Sequence, residues 1–207
     1  DDATIGHGLG RTPGFVMTKR RNNAINWVCK HECTTKVAYL DLADQFDDNG
    51  SGQGIITNLN SSTYTVDRYN SEYNINGVNG NGDAYVSYCW AEIPGFSKFG
   101  SYIGNGNADG PFVHLGFRPA FVLVKGSSFA GNWNLFDIKR PGVNPTNDRL
   151  FPNLSDAETD GSPTNNQIDI LSNGFKIRGQ QPEINKSGDT ILYFSFAELP
   201  FKNSRAR

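Results

Sequence analysis

The segment LGRTPGFVMTK (9–19) recurs as LGFRPAFVLVK (115–125), with Leu9/Leu115, Gly10/Gly116, Pro13/Pro119, Phe15/Phe121, Val16/Val122 and Lys19/Lys125 identical and each pair 106 residues apart. The same offset carries Asn26-Trp27 onto Asn132-Trp133, and GDAYVSYCWAEIP (82–94) onto GDTILYFSFAELP (188–200) through Gly, Asp, Ala, Glu and Pro. A repeat constrains architecture more than any other sequence feature, because it defines the unit that has to fold. The three blocks predict two tandem copies of one unit, 1–98 and 99–207. Between them the copies diverge, FPNLSDAETDGSP (151–163) facing a Gly/Asn-rich stretch around DDNGSGQG (47–54), as variable loops do on a retained frame.

The shared blocks read as strands. FVMTKRR and FVLVK are β-branched or aromatic runs after a proline, while YVSYCWAE and ILYFSFAE are apolar runs after a Gly-Asp turn. VAYLDL (37–42), GIITNL (54–59), STYTVDRY (62–69), GSYIGNG (100–106), QIDILS (167–172) and FKIR (175–178) add further short strands. With 23 Gly and only 19% charged residues, and turn signals such as NGNGD, KRPG and KSGD at short intervals, the chain is predicted to be all-β, a β-sandwich of jelly-roll or lectin-like type. Roughly 100 residues suffice for a small sandwich and about 200 for a lectin-like jelly roll, so the copies form two sandwiches or one joint sandwich. No Pro/Ser linker separates them, and tight packing of the halves is expected. Single helical turns are expected only near LADQF (42–46) and LSDAE (154–158), the latter capped by Ser155.

A formal net charge of −2 provides no field to gather phosphates, so nucleic acid is not an expected partner; the basic KRR (19–21) and KNSRAR (202–207) are local. Three cysteines, Cys29, Cys33 and Cys89, cannot all pair within one chain, which argues against a secreted disulfide scaffold and for assembly in a reducing cytoplasm. The longest apolar run, ILYFSFA (191–197), falls far short of the roughly 20 residues of a membrane helix, so no membrane insertion is expected.

Candidate chemistry is sparse. Cys29, His31 and Cys33 alternate along WVCKHEC and would share one face of a strand, superficially a zinc row. The second copy has Leu135, Asp137 and Lys139 there, and C-x-H-x-C lacks the spacing of structural zinc sites, so neither metal nor cofactor is expected. Asp83/Asp189 and Glu92/Glu198 recur in both copies; paired carboxylates raise the alternative of a glycan-degrading enzyme, but Gly-Asp is a turn pair and the glutamate closes a strand. DDNGSG (47–52) and GNGNADG (104–110) read as ordinary loops, lacking the EF-hand pattern and the phosphate-loop spacing respectively. Sequons begin at Asn60, Asn153 and Asn185. Trp27, Trp133, Phe15, Phe121, Pro13 and Pro119 are assigned to the repeated structural core, since a core must be duplicated and a binding site need not be. Trp90, Tyr64, Tyr69, Tyr73 and Tyr102, less tied to the repeat, are the candidates for stacking on sugar rings. Catalytic residues are not assigned.

The blocks SYCWAEIPGFSKFGSYIGNGNADGPFVHLGFRPAFVLVKGS (87–127), NWNLFDIKR (132–140), LFPNLSDAE (150–158), DILSNGFKIRG (169–179) and AELPFKNSRAR (197–207) together resemble a domain at the C-terminal end of tail fibre or tail-associated proteins of marine bacteriophages. The resemblance implies a non-enzymatic virion component in a distal appendage, assembled as a homo-oligomer, often trimeric, with other virion proteins. It would contact a glycan or protein of the host surface, or serve purely to build or decorate the particle. The ending PFKNSRAR resembles the family's usual terminus, whereas the counterpart of strand GSYIGNG (100–106) would lie before Asp1, so further sequence upstream is expected.

Overall fold

The computed structural model describes residues 2–47, 56–67, 78–140, 144–160 and 167–199. The chain is nearly all-β and forms two compact units, Asp1–Ala91 and Glu92–Arg207.

The first unit contains β1 (Ala3–Gly6), β2 (Pro13–Arg20), β3 (Val28–His31), β4 (Val37–Tyr39), β5 (Ile56–Thr57), β6 (Thr63–Val66) and β7 (Tyr85–Ala91). They make a four-stranded sheet, β4-β3-β2-β7, and a three-stranded sheet, β1-β6-β5, antiparallel throughout. Period-two alternation sends Val16, Val28, Val37 and Tyr39 inward, where they meet Ile56, Tyr64, Val66 and Val78 in one buried cluster. Each such side chain removed from water contributes roughly 1.5–3 kcal/mol, and that burial holds the two sheets face to face as a sandwich.

The second unit contains β8 (Ser97–Ile103), β9 (Phe112–His114), β10 (Pro119–Gly126), β11 (Asn134–Asp137), β12 (Asp148–Arg149), β13 (Thr159–Asp160), β14 (Ile168–Leu171), β15 (Gly174–Ile177), the short helix α1 (Pro182–Asn185) and β16 (Thr190–Ala197). The larger sheet runs β11-β10-β16-β8 and the smaller β14-β15-β9, with β12 and β13 paired separately. Tyr102, Val122, Val124, Phe136, Ile191 and Tyr193 of the larger sheet pack with Val113, Ile168, Ile170, Phe175 and Ile177 of the smaller and with Ile184 of α1.

The ladders of the two larger sheets coincide at an offset of 106. Phe15 stands opposite His31 and Trp90, and Phe121 opposite Asp137 and Phe196. Both ladders bulge at the same place, between Pro13 and Phe15 and between Pro119 and Phe121. Lys19 donates to the Ile25 carbonyl and lies 5.7 Å from the Trp27 ring; Lys125 donates to the Gly131 carbonyl and lies 5.9 Å from the Trp133 ring. The turns entering β7 and β16 use Gly82 (φ 77°) and Gly188 (φ 79°), left-handed positions where a side chain would be strained.

Of the six residues assigned to the core, Pro13, Phe15, Pro119 and Trp133 are buried, whereas Trp27 and Phe121 are only half-buried. The four aromatic residues stand on the face of the larger sheet away from the inter-sheet cluster, because alternation gives the inner face to Val16 and Val122. Neither expected helical turn forms. After β4 the chain is drawn back to the sheet, Val37 and Asp47 exchanging backbone bonds of 3.1 and 2.9 Å, and Asp41 accepts the Trp27 amide at 3.0 Å. Before 154–158, Leu150 pairs with Leu135 and the Asn153 side chain accepts the Trp133 amide at 3.0 Å. The helix that does form, α1, starts on Pro182, whose missing N–H costs nothing at a first helical position.

Candidate functional site

The inner faces of β2, β6 and β7, together with Ile5, Gly6, His7, Val78 and Asn79, border a cavity of about 410 Å³ in the first unit. From β7, the residues Tyr85, Ser87 and Cys89 point into it, one every second position. Thr18 and Ser87 turn their hydroxyls to each other at 2.8 Å. The Tyr64 hydroxyl, in a residue only 1% exposed, lies within reach of the Ser87, Thr18 and Cys89 side chains with no well-aligned bond to any of them, and burial, ahead of those contacts, pushes its phenol above the ordinary tyrosine value. His7 stacks on Tyr64 with ring centroids 6.5 Å apart. Its Nδ1 accepts the Leu9 amide at 3.2 Å, which assigns the proton to Nε2, the donor to the Asn60 carbonyl at 3.0 Å. Tyr85 accepts the Gly80 amide at 2.9 Å and donates to Asp83 at 3.4 Å. Burial raises the Cys89 thiol pKa, so this wall stays neutral at physiological pH. Among the described residues no carboxylate or lysine borders the cavity, and its chemistry suits an aromatic or neutral polar group better than acid–base work.

A second cavity of about 330 Å³ is bordered by Lys30, Glu32, Cys33, Thr34, Thr35, Thr57, Asn58 and Leu59. Lys30 shares the inward face of β3 with Val28, and burial pulls its ammonium down to about 8. Its Nζ reaches the Lys36 carbonyl at 3.4 Å.

The sugar-stacking candidates separate. Tyr102 is a core residue: its hydroxyl donates to the Ile184 carbonyl at 2.7 Å and its ring meets Phe175 edge-on at 6.2 Å. Tyr64 is likewise turned inward by the alternation of β6, so neither displays a ring face to solvent. Tyr69 and Tyr73 lie outside the described residues. Trp90 is half-buried on β7, stacked on Phe15 at 5.6 Å and beside Tyr88 at 6.1 Å. Tyr88, 45% exposed, is the aromatic that sequence reasoning missed; the alternation within YVSYCWA, which puts it on the same face as Trp90, was the available signal.

The repeated carboxylates are engaged in the frame. Asp83 pairs with Arg20 and accepts from Asn22 at 3.3 Å; Asp189 accepts from Ser128 at 2.8 Å and pairs with Lys186 at 2.7 Å, contacts that hold its carboxyl below the usual range. Glu198 pairs with Arg118 at 2.5 Å, and Glu92 is exposed beyond the end of β7. Cys29 is buried, with burial first and the Asp41 charge second raising its thiol pKa; His31 is buried and Cys33 exposed. Among the described residues no three His, Cys, Asp or Glu gather as metal ligands would, and no helix is long and apolar enough to cross a membrane. Asn60 closes its own turn by accepting the Ser62 and Thr63 amides, each at 2.9 Å. Asn185 is buried with its amide fully used, as acceptor from the Asn105 amide at 2.8 Å and donor to the Asn107 and Gly179 carbonyls at 2.8 and 2.9 Å.

The profile of a family described as a domain of unknown function, DUF7483, matches residues 1–200. The chain belongs to the DUF7483 family. The DUF7483 match therefore takes in both larger sheets and both inter-sheet clusters. No curated protein and no solved structure matches this DUF7483 chain.

Proposed function

We propose that this DUF7483 chain is a non-enzymatic structural module of a phage virion, carried as a homo-oligomer on a tail fibre or similar appendage and presented to a glycan of the host surface. The observation that carries the non-enzymatic reading is the fate of the repeated acidic residues: Asp83, Asp189 and Glu198 are committed to ion pairs and turns. A glycosidase needs two carboxyl groups flanking a groove, roughly 5–10 Å apart, and among the described residues the larger cavity has none on its walls. The virion assignment rests on the resemblance of residues 87–207 to tail-associated domains, and a two-sheet frame with divergent loops suits such a role. For the glycan contact, Tyr88 and Trp90 supply the one displayed pair of neighbouring rings on β7.

Whole-cell and glycan-array binding by the assembled oligomer tests this, with Tyr88→Ala and Trp90→Ala alongside and negative-stain labelling to locate the chain on the particle. Either variant is expected to weaken binding by about tenfold, the equivalent of one stacked ring. Shortening of a glycan by the wild-type chain would favour the enzymatic alternative. Clean absence of binding by the oligomer would leave the purely structural role.

A further inference from the structure

Strand parity divides the basic run at the end of β2. Arg20 points to the inner side and is engaged there, paired with Asp83 and bonded to Asn22 at 3.1 Å. Lys19 and Arg21 point the other way, to the face that carries Tyr88 and Trp90, and the Arg21 amide continues the ladder on the Ala84 carbonyl at 2.7 Å. Lys19 stands opposite Val86, which follows Tyr88 on that face. Its ammonium donates to the Ile25 carbonyl and lies 5.7 Å from the Trp27 ring, which is itself 6.4 Å from the Tyr88 ring. Arg21 is exposed, and among the described residues neither cation of this face is ion-paired.

The second unit closes the same ground. At the offset of 106, Lys125, Trp133 and Phe194 stand for Lys19, Trp27 and Tyr88; they are exposed by 0, 0 and 2%, against 45% for Tyr88. Ser127 stands for Arg21, its amide bonded to the Thr190 carbonyl in the same way. A part of the frame would be needed in both copies, yet only the first leaves the cation and rings partly open and adds a second cation. Acidic side chains of this region are held elsewhere. Asp41 accepts the Trp27 amide at 3.0 Å, Asp83 is paired with Arg20, and Glu92 lies beyond the opposite end of β7. On a chain of net charge −2 the face therefore has a local cationic end, beside Tyr88.

We infer that the glycan bound on this face is acidic: a sugar stacked on Tyr88 carries, on itself or on the adjoining sugar, a carboxylate or phosphate that meets Lys19 and Arg21. The inference rests on the glycan reading above and gives the face a direction, with the anion toward the Lys19–Val86 pair and neutral sugar toward Trp90. One pleat repeat, roughly 7 Å, separates the Tyr88 and Val86 positions along β7, a distance that substituents of one sugar or its neighbour can bridge. A charge-assisted bond is about twice as strong as a neutral one, so the cationic end supplies selectivity where the rings supply sequence-tolerant contact.

The test is an array of acidic oligosaccharides, carboxylated and phosphorylated, each printed beside its neutral counterpart made by carboxyl reduction or dephosphorylation and probed with the whole chain at low and high salt. Binding is expected on acidic members, with about tenfold loss on removal of the anion and a further fall as salt rises. Whichever acidic set is bound identifies the anion. Arg21→Gln is expected to weaken that binding about threefold and Arg21→Glu about tenfold, with Tm unchanged because the side chain is exposed. Neutral counterparts bound as tightly as acidic ones, or Arg21→Glu without effect, overturns the inference; stacking on Tyr88 and Trp90 then stands if their alanine variants still weaken binding. Binding to no member of the array overturns both.

Discussion

Replacing Tyr102 and Tyr64 by phenylalanine deletes the same atom from corresponding layers of the two units, with opposite consequences for stability. The Tyr102 hydroxyl donates at 2.7 Å to the Ile184 carbonyl inside a buried cluster. Tyr102→Phe loses one bond, worth about 1 kcal/mol net, and strands a desolvated carbonyl, for a total near 1.5–2 kcal/mol. The Tyr64 hydroxyl is buried with no well-aligned bond, reaching Ser87, Thr18 and Cys89 only weakly, so the native state bears part of the desolvation cost of an unmade bond, which in full is about 1–3 kcal/mol. Tyr64→Phe should return about 1 kcal/mol of it. The variants are therefore expected to diverge by about 3 kcal/mol, or on the order of 15 °C in Tm for units of this size. Urea unfolding followed by tryptophan fluorescence, with calorimetry to separate the units, reads the difference. Destabilisation by Tyr64→Phe of 1 kcal/mol or more would mean that its hydroxyl makes a strong bond in solution, and would refute the reasoning.

Lys30→Met should stabilise the fold at neutral pH. The native ammonium pKa of about 8 lies below the ordinary 10.5, so the unfolded chain holds the proton more tightly and wild-type stability should rise between pH 8 and 10.5, a slope that Lys30→Met abolishes in pH-dependent urea titrations. Asn185→Ala removes three hydrogen bonds from a buried amide and should cost about 3 kcal/mol by denaturant unfolding. A thiol reagent should modify exposed Cys33 first, half-buried Cys89 slowly, and Cys29 only on unfolding, as mass spectrometry of timed samples would show.

The all-β class was legible because the chain states its strands twice over, in composition and in punctuation. Proline before FVMTK and FVLVK, and Gly-Asp before YVSYCWA and ILYFSFA, mark starts that fall within a residue or two of β2, β10, β7 and β16. Single turns were misplaced for a physical reason. LADQF and LSDAE have acceptable helical propensity, but the side chains of Asp41 and Asn153 are claimed by tryptophan amides across the sheet edge, while QPEIN, unremarkable in composition, is fixed as α1 by burial of Ile184 and Asn185. The aromatic candidates show the same limit. Alternation groups Tyr88 with Trp90 on one face of its strand, but which face of a strand meets a core, as that of Tyr102 does, and which meets solvent is set by pairing partners far away in sequence.

The bulge shared by β2 and β10 has a bearing on which length changes a DUF7483 chain tolerates. It absorbs one residue between Pro13 and Phe15, and again between Pro119 and Phe121, where proline brings no N–H that a ladder would have to satisfy. Deleting that residue would leave Pro13 opposite Ala91 and Phe15 opposite Trp90 as consecutive pairs, so Val16 would keep its place opposite Cys89 and only the local bend and extra twist would go. The count at these two points is set by the bend each strand takes, whereas the count in loop 104–110 is set by the Asn185 side chain, which holds the Asn105 amide and the Asn107 carbonyl. Members of the family that keep this bend should therefore keep proline and phenylalanine two residues apart, and members without it should have the two adjacent with the downstream pairs unchanged.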